Sequence, residues 1–305
     1  MTEANQALRV LVTGGSGFIG RHVVAALRAE GHHVCVVDRF PFPDLDVECV
    51  TGELEDPAVR ELAVAPGTDV IVHLAAETSV LGSVERPAYV HTINVEVTAA
   101  LLELARERAV GGFVLASTNA VVGPCDATMT ESVPLAPMTP YGATKAAGEL
   151  LMSGYSGAYG LRTPTLRLTN VYGPGMIEKD SFVPRLLRAA AGGTGVEVYG
   201  DGLQVRDLVH VHDVARAFVL AATDWPSGPV IIGSGHSYTV LDLVDGAREA
   251  TDCPIPAEHV APKPGEMRAV IVDTSLARSR GFEPSTTLVD GISAAWADFR
   301  PALTS

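Results

Sequence analysis

Residues 9–27 read RVLVTGGSGFIGRHVVAAL, and the fold is decided there. Val10, Leu11 and Val12 form a buried-strand run, and Val23, Val24 and Leu27 recur at helical spacing. Between them, after Thr13, stand Gly14, Gly17 and Gly20, in the spacing G-x-x-G-x-x-G. Glycines let such a turn take unusual dihedrals and let the backbone approach a pyrophosphate, while the helix start offers N–H groups and a positive dipole. A lone glycine pattern carries little. Between a strand and a helix it reads as a dinucleotide-binding loop, with Phe18 and Ile19 opening the helix beside the phosphates.

The next strand, 33–38 (HVCVVD), ends in Asp38, eighteen residues past Gly20. A carboxylate there accepts both hydroxyls of the adenosine ribose and repels a 2′-phosphate, which favours NAD over NADP. Arg39 is its neighbour, and an arginine can embrace that phosphate, so NADP stays open.

Outward from this unit, apolar strands alternate with helical patterns. The strands are 9–13, 33–38, 47–51, 69–74, 113–117 and 165–169; helical stretches lie near 18–30, 55–64, 88–108 and 141–159. Repeated β-α-β gives an α/β fold, a doubly wound parallel sheet of Rossmann type. Past residue 170 come Gly/Pro turns, helices near 181–192, 212–224 and 240–250, and a strand at 229–232. Thr239 with Asp242 makes a capping-box variant before the last of these helices. The expected division is a dinucleotide-binding domain, 1–168 with 205–235 returning to it, and a smaller α/β substrate domain, 169–204 and 236–305.

Composition agrees. In 305 residues, hydrophobic side chains make up 47% and charged ones only 19%, as strands buried on both faces require. The net charge of −14 argues against a nucleic-acid or anionic-membrane binder, since phosphate contacts need a basic surface, though one local basic pocket is compatible with it. Cys35, Cys49, Cys125 and Cys253 show no paired spacing. MTEANQALRV lacks the basic start and apolar core of a signal peptide, and no apolar run is long enough to span a bilayer. The expectation is a cytoplasmic protein with no membrane partner.

In TPYGATKAAGELL, Tyr141 and Lys145 stand four apart on a helix opened by Pro140 and share one face. A phenol is a poor base near neutrality unless a nearby ammonium stabilises its anion. Alone, Y-x-x-x-K is common. Upstream, LASTNAVVG (115–123) turns polar at Ser117, Thr118 and Asn119 just where a core strand should end.

Together TGGSGFIG (13–20), HLAA (73–76), INVEVT (93–98), STNAVVG (117–123), YGATK (141–145), RLTNVYGPG (167–175) and VRDLVHVHDVA (205–215) resemble the extended short-chain dehydrogenase/reductase family, the group of nucleotide-sugar epimerases and dehydratases. The likeness spans essentially the whole chain. It implies a catalytic set of Thr118, which bonds the hydroxyl being oxidised, Tyr141 as base, and Lys145 as its electrostatic partner, also bonding the nicotinamide ribose. Glu53 and Leu54 fall where the family reads adenine, although aspartate is the more usual acid there. Leu74, Ala75, Ala76 and Leu168 would line the cofactor, with Asn94 bracing the strand ends. Asn170 and Arg206 match residues that hold the substrate diphosphate. Thr78 lies in 77–86, a segment expected over the sugar. Glu197 and Tyr199 match positions near the nucleotide base, and Arg268, in preference to Lys263, a second diphosphate-binding residue. The family also implies a homodimer through a four-helix bundle, here 88–108 and 141–159.

The reaction follows from LASTNAVVG. In the family's 4,6-dehydratases the threonine precedes Asp-Glu, an acid and a base for eliminating water. Here Asn119 and Ala120 follow, and alanine transfers no proton. Uronate enzymes carry an arginine within the segment matching 167–175, and after Arg167 LTNVYGPG has none. The resemblance then implies 4-epimerisation of a nucleoside-diphosphate hexose of the UDP-glucose/UDP-galactose type with NAD. Another nucleotide-sugar enzyme on this scaffold (uronate epimerase, decarboxylase, reductase or dehydratase) and a non-catalytic NAD-binding sensor are the alternatives. No metal is expected: His210 and His212 alternate on a strand face beside Asp213, without a third ligand cluster. His32 and His33 read as solvated loop.

Overall fold

A computed structural model describes residues 7–125, 127–262 and 269–303. The first half runs β1 (Arg9–Thr13), α1 (Phe18–Ala29), β2 (His33–Asp38), β3 (Glu48–Thr51), α2 (Pro57–Ala63) and β4 (Val70–His73). It continues through α3 (Val80–Glu85), α4 (Pro87–His91), α5 (Val97–Glu107), β5 (Gly112–Thr118), α6 (Pro140–Tyr159) and β6 (Pro164–Leu168). Then come β7 (Asn170–Tyr172), α7 (Phe182–Gly192), β8 (Val196–Tyr199), β9 (Val205–His210), α8 (Val211–Thr223) and β10 (Gly228–Ile232). Last are β11 (Ser237–Thr239), α9 (Val240–Thr251), β12 (Ala257–Val260), α10 (Ser275–Ser279) and α11 (Leu288–Leu303).

Seven strands form one parallel sheet in the order β10-β6-β5-β4-β1-β2-β3. The strand period of two explains its continuous apolar runs. Val10, Val12, Val70, Val72 and Val114 face a core closed by α1 and α8. Leu11, Ile71, Phe113 and Leu115, alternate residues of the same strands, face a core closed by α5 and α6. The expected doubly wound sheet is therefore found. Because the order reverses between β1 and β4, a crevice opens beyond the C-terminal ends of the strands, the usual ligand position in such sheets.

A third core joins α7, α9 and α11 with side chains of β7, β8 and β9. Three-stranded β11-β9-β7 and two-stranded β12-β8 lie over it. Within 205–235, α8 and β10 rejoin the large sheet, whereas β9 pairs with β7 and β11. The capping box of Thr239 and Asp242 is formed in both directions.

Three local expectations are corrected. The helix expected at 88–108 is interrupted by a π-helical turn, Thr92–Glu96, that carries Asn94. His210 closes β9 and caps α8 through its Nδ1, and His212 lies in the first turn of that helix, so the two do not alternate on a strand. His32 is buried rather than solvated, its Nδ1 accepting the Leu8 N–H, and His33 opens β2.

Candidate active site

The glycine loop is shaped by close backbone approaches. Gly14 has φ +71°, and a Cβ there would stand 2.7 Å from Ala75 N. Its N–H donates to Val37 O and its carbonyl accepts from Gly17 N, which pins the turn between β1, β2 and β4. Helix α1 then starts at Gly17 with no side chain capping it, so its first N–H groups face the crevice. That crevice is a cleft of about 660 Å³ at the strand ends. Of the residues expected at a cofactor, the glycine loop with Phe18 and Ile19, Asp38, Arg39, Glu53, Leu54, Leu74, Ala75, Ala76, Leu168, Tyr141 and Lys145 all line it. Asn94 does not line it. It stands behind the wall, accepting from Glu77 N and donating to Glu77 O and Thr144 Oγ1, which is bracing.

At the far end, Asp38 accepts N–H bonds from Ser16 (3.0 Å) and Phe40 (3.0 Å), so its carboxylate is fixed beside the loop. Arg39 leans away from it towards Glu53, 3.7 Å off, and bonds Tyr89. The glycine cradle, the uncapped helix start and an oriented carboxylate fit a dinucleotide. Ser16 and Phe40 were missed in the sequence, because only the closed turn brings them to Asp38.

Tyr141, Lys145 and Thr118 meet at the end of β5. Thr139 caps α6 by accepting from Gly142 N, and the Tyr141 N–H donates to Ser83 Oγ. Thr118 ends the strand, its Oγ1 accepting from Ala120 N and bonding the Tyr141 hydroxyl. Lys145 is 6% exposed and donates to Ala116 O at 3.0 Å. Burial pushes the Tyr141 phenol up to about 12, which the Thr118 bond partly offsets. Burial likewise pulls the Lys145 ammonium down to about 8, against the attraction of Glu149. Behind them a buried ion pair, Glu149 and Arg167 (2.7 Å), spans α6 and β6; removing one partner of such a pair costs about 3–5 kcal/mol.

His73 lies beneath the site and bridges Thr13 (2.7 Å) and Thr98 (3.0 Å). The Thr98 hydroxyl donates to Asn94 O, so it accepts from Nε2, and Nδ1 then accepts from Thr13, whose oxygen takes the Ala75 N–H. A neutral ring satisfies every partner, and burial with the nearby Lys145 lowers its pKa to about 3. Folding therefore excludes a proton that the unfolded chain binds. This stability contribution is complete above 6.5, the ordinary imidazole value, and is lost progressively as pH falls towards about 3. The loss is about 1.4 kcal/mol per pH unit at most, and His210, held near 4 by burial, adds to it. Urea midpoints from about pH 7 down to about pH 5 are expected to fall less steeply in His73→Gln than in the wild type. Equal slopes would refute the assignment.

The predicted substrate residues divide between two spaces. Thr78 and Thr118 line the first cleft, and Asn170 lines both it and an adjoining pocket of about 570 Å³. Glu197, Tyr199 and Arg206 line the second pocket, the Tyr199 hydroxyl donating to Glu197 at 3.3 Å. Asn170 Nδ2 donates to Asp207 O. Lys263 and Arg268 lie outside the described residues. Two cations that sequence reasoning missed, Arg185 and Arg188 on α7, line this pocket and grip Asp180 between them. Their three-residue spacing was the available signal. No group of three His, Cys, Asp or Glu side chains that could hold a metal occurs among the described residues, nor does a helix long and apolar enough to cross a membrane.

Comparison with known proteins bears on this cleft. A model of the NAD dependent epimerase/dehydratase family matches residues 10–233. A putative UDP-glucose 4-epimerase of Methanocaldococcus jannaschii is 32% identical over 296 residues, covering 93% of this chain and 95% of the relative. A dTDP-glucose 4,6-dehydratase of Streptomyces niveus is 35% identical over 306 residues, covering 93% and 90%. The crystal structure of a Thermotoga maritima UDP-glucose 4-epimerase with UDP-glucose matches with a TM-score of 0.90 and 31% identity, over 97% of this chain and 100% of that one. With likeness of this extent in both sequence and fold, the chain belongs to the NAD dependent epimerase/dehydratase family.

Proposed function

We propose that the protein is a nucleoside-diphosphate-sugar 4-epimerase, acting on hexoses of the UDP-glucose/UDP-galactose type by transient NAD-dependent oxidation at C4. One observation carries this reading: Thr118, Tyr141 and Lys145 converge at the end of β5, and the residues after Thr118 add no acid or base. Bound NAD supplies a hydride acceptor that returns what it takes, so no net oxidation occurs. Gly14, Gly17 and Gly20 with the start of α1 hold its pyrophosphate, Asp38 its adenosine ribose, and Glu53 and Leu54 its adenine. Tyr141, assisted by Lys145, takes the proton of the C4 hydroxyl that Thr118 orients, and gives it back after the sugar has turned.

Turning the sugar requires that binding be concentrated at the other end of the substrate. Asn170 and Arg206 anchor the diphosphate, Glu197 and Tyr199 flank the base, and Thr78 lies by the hexose. The dinucleotide part comprises 1–168, with α8 and β10 of 205–235 returning to it, and the substrate part 169–204 and 236–305, with β9 in its sheet. Two copies pair through α5 and α6, where Leu150 is 64% exposed. Four free cysteines suit a cytoplasmic setting.

Incubation with UDP-glucose, followed by NMR, is expected to yield UDP-galactose at equilibrium without added cofactor. No interconversion of any nucleotide hexose by NAD-loaded protein would overturn the reading. The Streptomyces niveus relative favours a second reading, 4,6-dehydration. Asn119 and Ala120 oppose it, and release of a 4-keto-6-deoxy sugar from dTDP-glucose would restore it.

A further inference from the structure

The buried polar cluster behind the reacting side chains supports one more assignment, which rests on the 4-epimerase reading. Tyr141, Lys145 and Glu149 stand at successive four-residue steps on α6 and so share a face. Together they grip three consecutive residues of β5. Tyr141 bonds the Thr118 side chain, Lys145 donates to Ala116 O, and Ser117 Oγ donates to Glu149 Oε1 at 2.5 Å. Ser117 is in register with Arg167 on β6, and Arg167 donates to the same carboxylate through Nε (3.0 and 3.2 Å) and Nη2 (2.7 Å). Arg167 Nη1 donates onward to Glu131 O, and the Glu131 side chain accepts from Ile231 N on β10. Glu149 is 8% exposed and Arg167 3%.

We propose that Glu149 is a positioning residue for the reaction: it fixes the end of β5, and with it Thr118, against Tyr141 and Lys145, and sets a negative charge one helical turn behind the Lys145 ammonium. A pair serving stability alone would need Arg167 and Glu149 only. The bond from Ser117, next to Thr118, ties the carboxylate to the strand end instead. The charged and titratable groups around Lys145 are Tyr141 and Glu149 on α6, His73 on β4, and Arg167 on β6, whose charge is turned to Glu149. β5 presents only carbonyl and hydroxyl groups. His73 is neutral, so among the described residues Glu149 is the anion that offsets the burial of the ammonium.

The test uses NAD-loaded protein and three variants: Glu149→Gln, the pair Glu149→Gln/Arg167→Met, which leaves no guanidinium without its carboxylate, and Glu149→Asp. The chain has three lysines, Lys145, Lys179 and Lys263, so carbon-13 lysine NMR resolves the titration of Lys145. Its midpoint is expected to fall by about one unit in the first two variants and to stay near the wild-type value with aspartate. The alkaline limb of the kcat/KM profile for nucleotide-hexose interconversion is expected to move by the same amount. If Glu149→Gln does not fold, the double variant decides. An unmoved Lys145 midpoint overturns the proposal, and so does a moved midpoint with an unmoved kinetic limb. Absence of interconversion in the wild type instead overturns the 4-epimerase reading, while the NMR titration still judges the charge assigned to Glu149.

Discussion

Tyr141→Phe is expected to lower the turnover of a nucleotide hexose by about two to four orders of magnitude while leaving NAD bound. The ring is half-buried at the start of α6, and phenylalanine keeps its packing and the bond from its N–H to Ser83. Only the hydroxyl is lost, and with it the group that Thr118 meets. In the protein alone this phenol stands near 12, too weakly acidic to be the phenolate at neutral pH. It becomes a base only beside more positive charge than Lys145 alone brings, and the oxidised nicotinamide of bound NAD adds it. Once bound NAD has brought the phenol below Lys145, activity should rise with pH as the phenol loses its proton, then fall as Lys145, which burial draws down to about 8, loses its own. Retention of NAD is expected because the glycine loop, Asp38 and Glu53, the residues proposed to hold it, line the cleft at the ends of β1, β2 and β3, away from the end of β5. A variant turning over within about tenfold of the wild type would remove Tyr141 from its role, since general-base catalysis contributes at least about a hundredfold.

The parts of this site that could be read from the sequence are those whose signal is local. Strand β1, its glycines and α1 are contiguous, and helical spacing alone puts Tyr141 and Lys145 on one face. The polar turn in LASTNAVVG was legible as an exception to burial, and the fold explains it residue by residue. Ser117 is buried on Glu149, Thr118 reaches the cleft, and Asn119 begins a tight turn. What could not be read depends on pairing across the sheet. Nothing near Glu149 marks it as the partner of Arg167, since α6 and β6 become neighbours only when the crossover closes. Arg167 itself reads as a strand residue, and only the register of β6 on β5 brings it opposite Ser117. The histidines of HVHD misled because the end of a strand and the cap of a helix share the same alternation. Asp213, an acidic residue in the first turn of α8 whose carboxylate accepts from the N–H groups of Ser285 and Thr286, was the available sign of the helix.

Gly20→Ala is expected to strip NAD from the protein as isolated, with affinity down by about tenfold to a hundredfold for a strain of about 1–3 kcal/mol. A Cβ at this position would stand 2.2 Å from Gly14 O, 2.7 Å from Gly15 Cα and 2.8 Å from Gly15 C. All three contacts are with backbone, so no rotamer change relieves them. Either the loop or α1 must move. The loop cannot yield cheaply, because Gly14 is held in its positive-φ turn by Val37 O and by Gly17 N. Moving α1 outward withdraws its first N–H groups from the pyrophosphate and loosens Val23, Val24 and Leu27 from the sheet. The control is Gly154→Ala on the exposed side of α6, where a Cβ meets nothing within 4 Å. NAD content after purification and the thermal midpoint are expected to fall in Gly20→Ala and not in the control. A Gly20→Ala protein that kept its full NAD content would mean that the close approach of α1 to the loop is not what holds the cofactor. The uncapped helix start would then have to bind phosphate from a more open loop, and the requirement for glycine at position 20 would be one of packing alone.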